Sequence, residues 1–322
     1  MLQEILLVVI GFILLIKGAD LLVDAATSIA KKFGLSEMII GLTIVAVGTS
    51  LPEIFVTITS ALDGHSDLII GNAIGSCICN SLLVIGIVSL IRPIRLDKRI
   101  VNRHLPIGMG TMVLLMILGN TDKFGPPQTI TRRQGLILLM CTLFYIIYSI
   151  YEEKKLKNKK VAEEMIDYVE SKEHKSIIKI IIFMILGIIG LKFGADFVVD
   201  NSILIAKRFG LSEKFIGMTI VALGTALPEI ITGIIAAKND ETDLLIGNIS
   251  GSNILNICLL IGLGALINPL TFSFDFNISI LILIIVTLFL QLIAVVNKNS
   301  ELDYKRGLIL ILVYIYYIIC IL

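Results

Sequence analysis

The sequence predicts an all-α integral membrane protein whose ten transmembrane helices form two inverted five-helix repeats. Three observations predict it: a composition too apolar for a water-soluble domain, ten charge-poor runs of membrane-spanning length, and a self-similarity at a constant offset of 176 residues. Of the 322 residues, 56% are hydrophobic and 16% charged, and the mean hydropathy is +0.95. That excludes a soluble enzyme. The 27 basic and 26 acidic residues leave a net charge of +1, so no global field attracts nucleic acid. Five cysteines sit in apolar stretches without metal-ligand spacing, and neither disulfides nor zinc are expected.

In chain order the apolar runs fall near residues 2–28, 38–62, 68–91, 105–120, 134–151, 177–204, 214–237, 244–267, 277–297 and 307–322. The first lacks a basic segment before it and small cleavage-site residues after it, so it is expected to be a retained span and not a signal peptide. The first and sixth runs continue past Lys17, Asp20 and Asp24 and past Lys192, Asp196 and Asp200. Long tilted helices with interfacial Lys–Asp pairs account for both. Residues 152–176, with seven Lys and seven acids, are expected to form a cytoplasmic charged linker between a first repeat over 1–151 and a second over 177–322. Eighteen Lys and Arg lie in loops on one side against six on the other, which puts both termini outside.

The repeat is dense. Gly-Ala-Asp at 18–20 recurs at 194–196, KKFGLSE from Lys31 as KRFGLSE from Lys207, GLTIVAVGTSLPE from Gly41 as GMTIVALGTALPE from Gly217, and GNAIGSCICN from Gly71 as GNISGSNILN from Gly247. Between Gly18 and Gly86, 39 of 69 positions match their partners, which leaves no room for coincidence. Five spans per copy is an odd number, so the second copy is inserted upside down. Such repeats build secondary transporters, with a site near the midplane where broken helices of the two halves meet.

Glu53 and its mate Glu229 stand alone in otherwise uncharged spans. An acid at the bilayer centre costs about 2.5 kcal/mol or more unless it faces a cavity, a partner or an ion. A protonated structural carboxyl would also satisfy that constraint, but two acids at equivalent places favour an ion site. Pro52 and Pro228, just before them, lack an N–H and release carbonyls around Gly48 and Gly224. Irregular backbone at this depth is tolerated where it lines a cavity. Carbonyls near Ala46, Thr49, Ala222 and Thr225 join the carboxylates in an all-oxygen environment suited to hard cations. On the third and eighth spans, Gly71, Gly75, Gly247 and Gly251 allow close approach, and Ser76, Asn80, Ser252 and Asn256 add polar groups one turn apart. For Asn72 and Asn248, helix–helix glue or capping accounts for the residue as well as ligation does.

GTSLPE with GNAIGSCICN, and GTALPE with GNISGSNILN, resemble the two alpha repeats of the sodium/calcium exchanger family, prokaryotic type, within the cation/calcium exchanger superfamily. The resemblance covers essentially the whole chain. It implies a ten-helix antiporter exchanging about three Na⁺ for one Ca²⁺ by alternating access. Glu53 and Glu229 match the family's Ca²⁺-coordinating acids, which also share the Na⁺ sites. Oxygens at Ala46, Thr49, Ser50, Ala222 and Thr225 match ligands from the broken helices, while Ser76, Asn80 and Ser252 match polar ligands beside them, with Asn256 at the place equivalent to Asn80. The first and sixth helices resemble the pair that slides across the core. Two departures stand out: Ala226 replaces the hydroxyl of Ser50, and Asn256 stands where potassium-dependent relatives carry Asp. Without an acid at 80 or 256, potassium dependence is not expected. Two carboxylates neutralise one Ca²⁺ but leave one positive charge on three Na⁺, so exchange at that ratio is electrogenic.

Proton/calcium antiport is the alternative transporter reading, since buried carboxylates can titrate. A passive channel is disfavoured by the inverted repeat with broken helices. An intramembrane enzyme is disfavoured because His65, His104 and His174 fall in predicted loops and no HExxH or GxSxG motif occurs. The expected substrates are therefore Ca²⁺ and Na⁺, with no organic cofactor, in a monomer embedded in a plasma membrane.

Overall fold

The computed structural model describes residues 1–121, 128–163, 176–210, 222–296 and 301–321. The first span is a single 32-residue helix, Leu2–Phe33, and the sixth is its equally long mate, Ile177–Arg208. At 1.5 Å per residue each reaches about 48 Å, well beyond the hydrocarbon thickness. Both present apolar side chains such as Leu6, Ile13, Ile178 and Ile185 outward. The two helices meet backbone to backbone: a Cβ on Gly18 would stand 2.7 Å from Leu191 N, and one on Gly194 2.7 Å from Leu15 N. The expected ion pairs are present, with Lys17 Nζ 3.8 Å from Asp20 and Lys192 Nζ 2.7 Å from Asp196.

The second span is built from Glu37–Ile40, a π-helical turn Gly41–Val45, Ala46–Thr49, a break at Ser50 and then Leu51–Leu62, with a bend of 47°. The seventh repeats the device as Ala222–Thr225, a break at Ala226 and Leu227–Lys238. Each proline stands in the first turn of the new half-helix, where its missing N–H is needed least. The third span, Ser66–Ile91, and the eighth, Thr242–Ile267, are buried over 78% and 83% of their apolar windows, against 28% and 22% for the first and sixth. The third and eighth therefore form the centre of the molecule, and the first and sixth a lipid-facing pair.

The remaining spans are Ile100–Asn120, the apolar part Arg132–Glu153 of a longer helix Arg132–Glu163, Asp275–Val295 and Tyr304–Ile321. Among the described residues eight spans are long and apolar enough to cross a bilayer, counting the bent pair as one. The interrupted seventh and the 18-residue tenth complete the ten. Two expectations need correction. The stretch 152–176 does not begin as a solvated linker: the helix continues to Glu163, and Glu152 and Glu153 are buried. His104 is not in a loop but in a π-helical turn, Ile100–His104, and is 1% exposed. Both have one cause. The acids that end the fifth span take up the basic residues that open the fourth, so the charged ends fold inward together. Residues 164–175, with the rest of the expected linker, lie outside the described residues.

Four two-residue strands, β1 (Ile94–Arg95), β2 (Thr129–Ile130), β3 (Leu270–Thr271) and β4 (Glu301–Leu302), form two antiparallel clips, β1 with β4 and β2 with β3. The repeat carries β1 onto β3 and β2 onto β4, so it exchanges one clip for the other. For the last helix the offset is 172: Gly135-Leu-Ile-Leu matches Gly307-Leu-Ile-Leu. The packing follows the same symmetry. A Cβ on Gly86 would meet Gly307 O at 3.0 Å, and one on Gly135 would meet Gly262 O at 2.9 Å.

Candidate functional site

The breaks at Ser50 and Ala226 set the geometry. Each adopts a near-bridge backbone, with φ −84° and ψ 6° at Ser50 and φ −86° and ψ −3° at Ala226. The new half-helix that follows carries its acid in the first turn, where the helix dipole favours negative charge. Glu53 and Glu229 are 1% and 2% exposed. Glu53 Oε2 and both carboxylate oxygens of Glu229 are buried without a hydrogen-bond partner among the described residues, and the two acids lie within electrostatic reach of each other. Unpaired buried carboxylate oxygens are costly. Two convergent acids with free lone pairs can hold a dehydrated cation.

The first broken helix closes tightly on the eighth span. A Cβ on Gly41, Gly247 or Gly251 would lie 2.3 Å from a backbone oxygen of the facing helix, Leu244, Met38 or Leu42 respectively, so the absence of side chains there is what allows the approach. That contact brings predicted residues together. Thr49 Oγ1 donates to Asn248 Oδ1 at 3.2 Å and contacts Ala46 O at 3.4 Å. Ser50 Oγ is 3.4 Å from Ser252 Oγ, which reaches Asn248 Oδ1 at 3.5 Å. Thr49, Ser50, Ala46 and Ser252 are wholly buried. On the third span Asn80 opens the π-helical turn Asn80–Val84, and its mate Asn256 opens Asn256–Leu260. Such turns widen a helix locally and re-aim side chains. Asn80 Nδ2 donates to Asn253 Oδ1 at 3.3 Å, while Asn256 Oδ1 is buried without a partner among the described residues. Ser76 is also buried.

The two halves are not equivalent. Thr49 is fully buried, whereas Thr225 is half-buried. Ala222 opens the short helix Ala222–Thr225. Four residues join the site's surroundings beyond those expected as ligands. Asn248, whose position in the sequence suits glue as well as ligation, sits at the hub of the Thr49 and Ser252 contacts. Asn253 links Asn80 to Ser81, donating to Ser81 Oγ at 2.9 Å; its repeat mate is Cys77, so a search by symmetry passes over it. Thr57 and Thr232 lie one turn beyond Glu53 and Glu229, and their hydroxyls are buried without partners among the described residues. The spacing of one turn from each acid was the available signal.

A helical membrane protein built on an inverted repeat, with paired acids at broken helices, defines the class of secondary transporters. The chain belongs to the sodium/calcium exchanger protein family, whose model matches residues 4–151 and 179–322. It is 37% identical to a putative antiporter, CaxA, of Alkalimonas amylolytica over 84% of this chain and 82% of the relative. It is 32% identical to the inner membrane protein YrbG of Escherichia coli over 84% and 81%. The structure of the sodium-calcium exchanger NCX_Mj superposes with a TM-score of 0.83 at 30% identity, covering 100% of this chain and 99% of the other. This chain is thus a multi-pass membrane transporter and not an enzyme.

Proposed function

We propose that the protein exchanges Na⁺ for Ca²⁺ by alternating access, with both ions competing for Glu53 and Glu229. One observation carries this reading. Two acids from equivalent places in the two repeats are buried within electrostatic reach of each other, with three carboxylate oxygens left without hydrogen-bond partners among the described residues. Thr49, Ser50, Ser76, Asn80, Ser252, Asn256 and backbone oxygens at Ala46, Ala222 and Thr225 are the proposed further ligands. We add Asn248 to this set because its oxygen already accepts from two of them. The names of the relatives support the cation class, since the superposed structure is that of a sodium-calcium exchanger. The first and sixth helices are the proposed moving pair, joined to each other by glycine contacts and largely open to lipid. The excess of Lys and Arg supports a cytoplasmic face bearing residues 152–176 and external termini.

The test is Na⁺-gradient-driven uptake of radiolabelled Ca²⁺ into proteoliposomes. Glu53→Gln and Glu229→Gln each keep shape but remove a charge that Ca²⁺ needs, and each is expected to abolish exchange. Undiminished uptake in either variant defeats the assignment. The same vesicles given a pH gradient instead separate Na⁺ coupling from proton coupling, and a steady Ca²⁺ flux without any counter-ion gradient identifies a channel.

A further inference from the structure

The fifth span ends in two adjacent buried acids that point to different neighbours. Glu152 pairs with Arg103 and lies 3.7 Å from His104 Nε2, while His104 Nδ1 is 3.2 Å from the Tyr145 hydroxyl. Glu153 faces the other way. Its Oε1 accepts the backbone N–H of Ser36 at 2.6 Å, and its Oε2 lies 3.5 Å from Arg99 Nη1. Arg99 is held in turn by Asp97, which accepts from its Nε and Nη2 at 3.1 Å each and from its backbone N–H at 2.6 Å.

Ser36 is a mechanically distinctive position. The first span ends at Gly34, which takes a left-handed conformation (φ 59°) that side-chain-bearing residues adopt poorly. Leu35 N–H returns to Ala30 O at 2.9 Å to close that end. Ser36 then starts the broken second span, its hydroxyl capping Ile39 N–H at 3.4 Å. A joint of three residues therefore connects the lipid-facing first span to the half-helix that carries Ala46 and Thr49. Glu153 grips the core side of that joint through a charge-assisted bond to backbone, independent of the side chain at 36. The ionic backing is not part of the duplicated design, because the repeat mates of Asp97 and Arg99 are Ser273 and Asp275.

We infer that Glu153, oriented by the Arg99–Asp97 pair, is the fixed pivot of the joint Gly34–Ser36 and a positioning residue for the slide of the first span. The inference rests on the alternating-access reading above. With the pivot intact, displacement of the first span is taken up at Gly34 and Leu35, and the half-helix leading to Thr49 stays in register with the eighth span. Without it, Ser36 can move with the first span and the slide is dissipated in the joint.

The variants are Glu153→Ala, which removes the acceptor, and Glu153→Gln, which keeps an acceptor oxygen for Ser36 N–H but loses the charge. Na⁺/Ca²⁺ exchange velocity in proteoliposomes is compared with equilibrium Ca²⁺ binding to the purified protein. Glu153→Ala is expected to slow exchange about tenfold, the rate cost of one charge-assisted bond lost from the moving state, with Ca²⁺ affinity unchanged. Glu153→Gln is expected to recover most of the velocity. Hydrogen–deuterium exchange of the 34–40 backbone supplies a readout that needs no assumption about the ion: protection at Ser36 is expected to fall in the Ala variant and return in the Gln variant. Wild-type velocity in Glu153→Ala, parallel loss of binding and velocity, or unchanged protection at Ser36 each overturns the pivot. If wild-type protein shows no Na⁺-driven Ca²⁺ movement, the exchange reading fails, and the hydrogen-exchange comparison still decides the pivot.

Discussion

At the scale of single residues, the lone acids and the prolines before them were legible because a charge in an apolar run has few physical explanations. Asn253, Thr57 and Thr232 were not, since a buried hydroxyl or amide looks the same in sequence as one that glues helices together. Glu152 and Glu153 were misread for a related reason. Composition identifies charges, while only packing shows whether they meet partners. The Asp97–Arg99 pair gives this scale its pH prediction. Burial pushes the Asp97 carboxyl up, but the hydrogen bonds from the Arg99 side chain and backbone outweigh it and hold the group below its ordinary value of 3.8. A carboxylate lowered in the folded state contributes stability that is complete above its unfolded value and is lost as pH falls through the lower folded value. Thermal unfolding in detergent should therefore become less favourable to the fold only at strongly acidic pH. Asp97→Asn should reduce stability at neutral pH and weaken that acid limb. An unaltered acid limb in the variant would show that the pair does not contribute.

At the scale of elements, hydrophobic runs located every span, but their ends were set by tertiary partners. The fourth begins at Ile100 and the fifth continues to Glu163 because Arg99, Arg103, Glu152 and Glu153 satisfy one another. The π-helical turns at Asn80 and Asn256 left no mark in the sequence, as they depend on how side chains aim once the helices have packed. The glycines of the second GN motif, Gly247 and Gly251, did signal close approach, and the distances show how strict it is, whereas among the described residues a Cβ on Gly71 would come no closer than 3.9 Å to a neighbour and one on Gly75 would have none within 4 Å. Gly247→Ala would place a methyl group 2.3 Å from Met38 O, with backbone on the other side that cannot yield. Forcing extra atoms into such a contact costs typically 1–3 kcal/mol or more. Gly110→Ala has open space and is expected to be neutral. Melting of the two purified variants by size-exclusion chromatography checks this, and equal stability would refute the contact as a constraint.

At the scale of the whole molecule, the repeat determines more than a list of matching motifs. It exchanges the β1·β4 clip for β2·β3 and the Gly86–Gly307 contact for Gly135–Gly262. The two halves are thus fastened to each other at two equivalent places, while the first and sixth helices hold mainly to one another. The clips belong to the part expected to stay still. A cross-link between Arg95→Cys and Glu301→Cys, direct partners in the β1·β4 register, should leave exchange velocity close to that of the reduced protein. Arrest on oxidation and recovery on reduction would show that the clip moves during transport.

From its sequence alone, this protein's membrane class, its span number, its inverted duplication and the pair of acids at its centre were determined. Each leaves a local or periodic trace: a run of apolar residues, a constant offset, a charge where charge is costly. The tertiary structure alone decided that Asn248 sits between Thr49 and Ser252, that Thr225 is less enclosed than Thr49, and that Glu153 holds the joint of the first span. Those contacts join residues as much as 199 positions apart. They depend on how bent helices settle against one another, for which a one-dimensional pattern carries no signature.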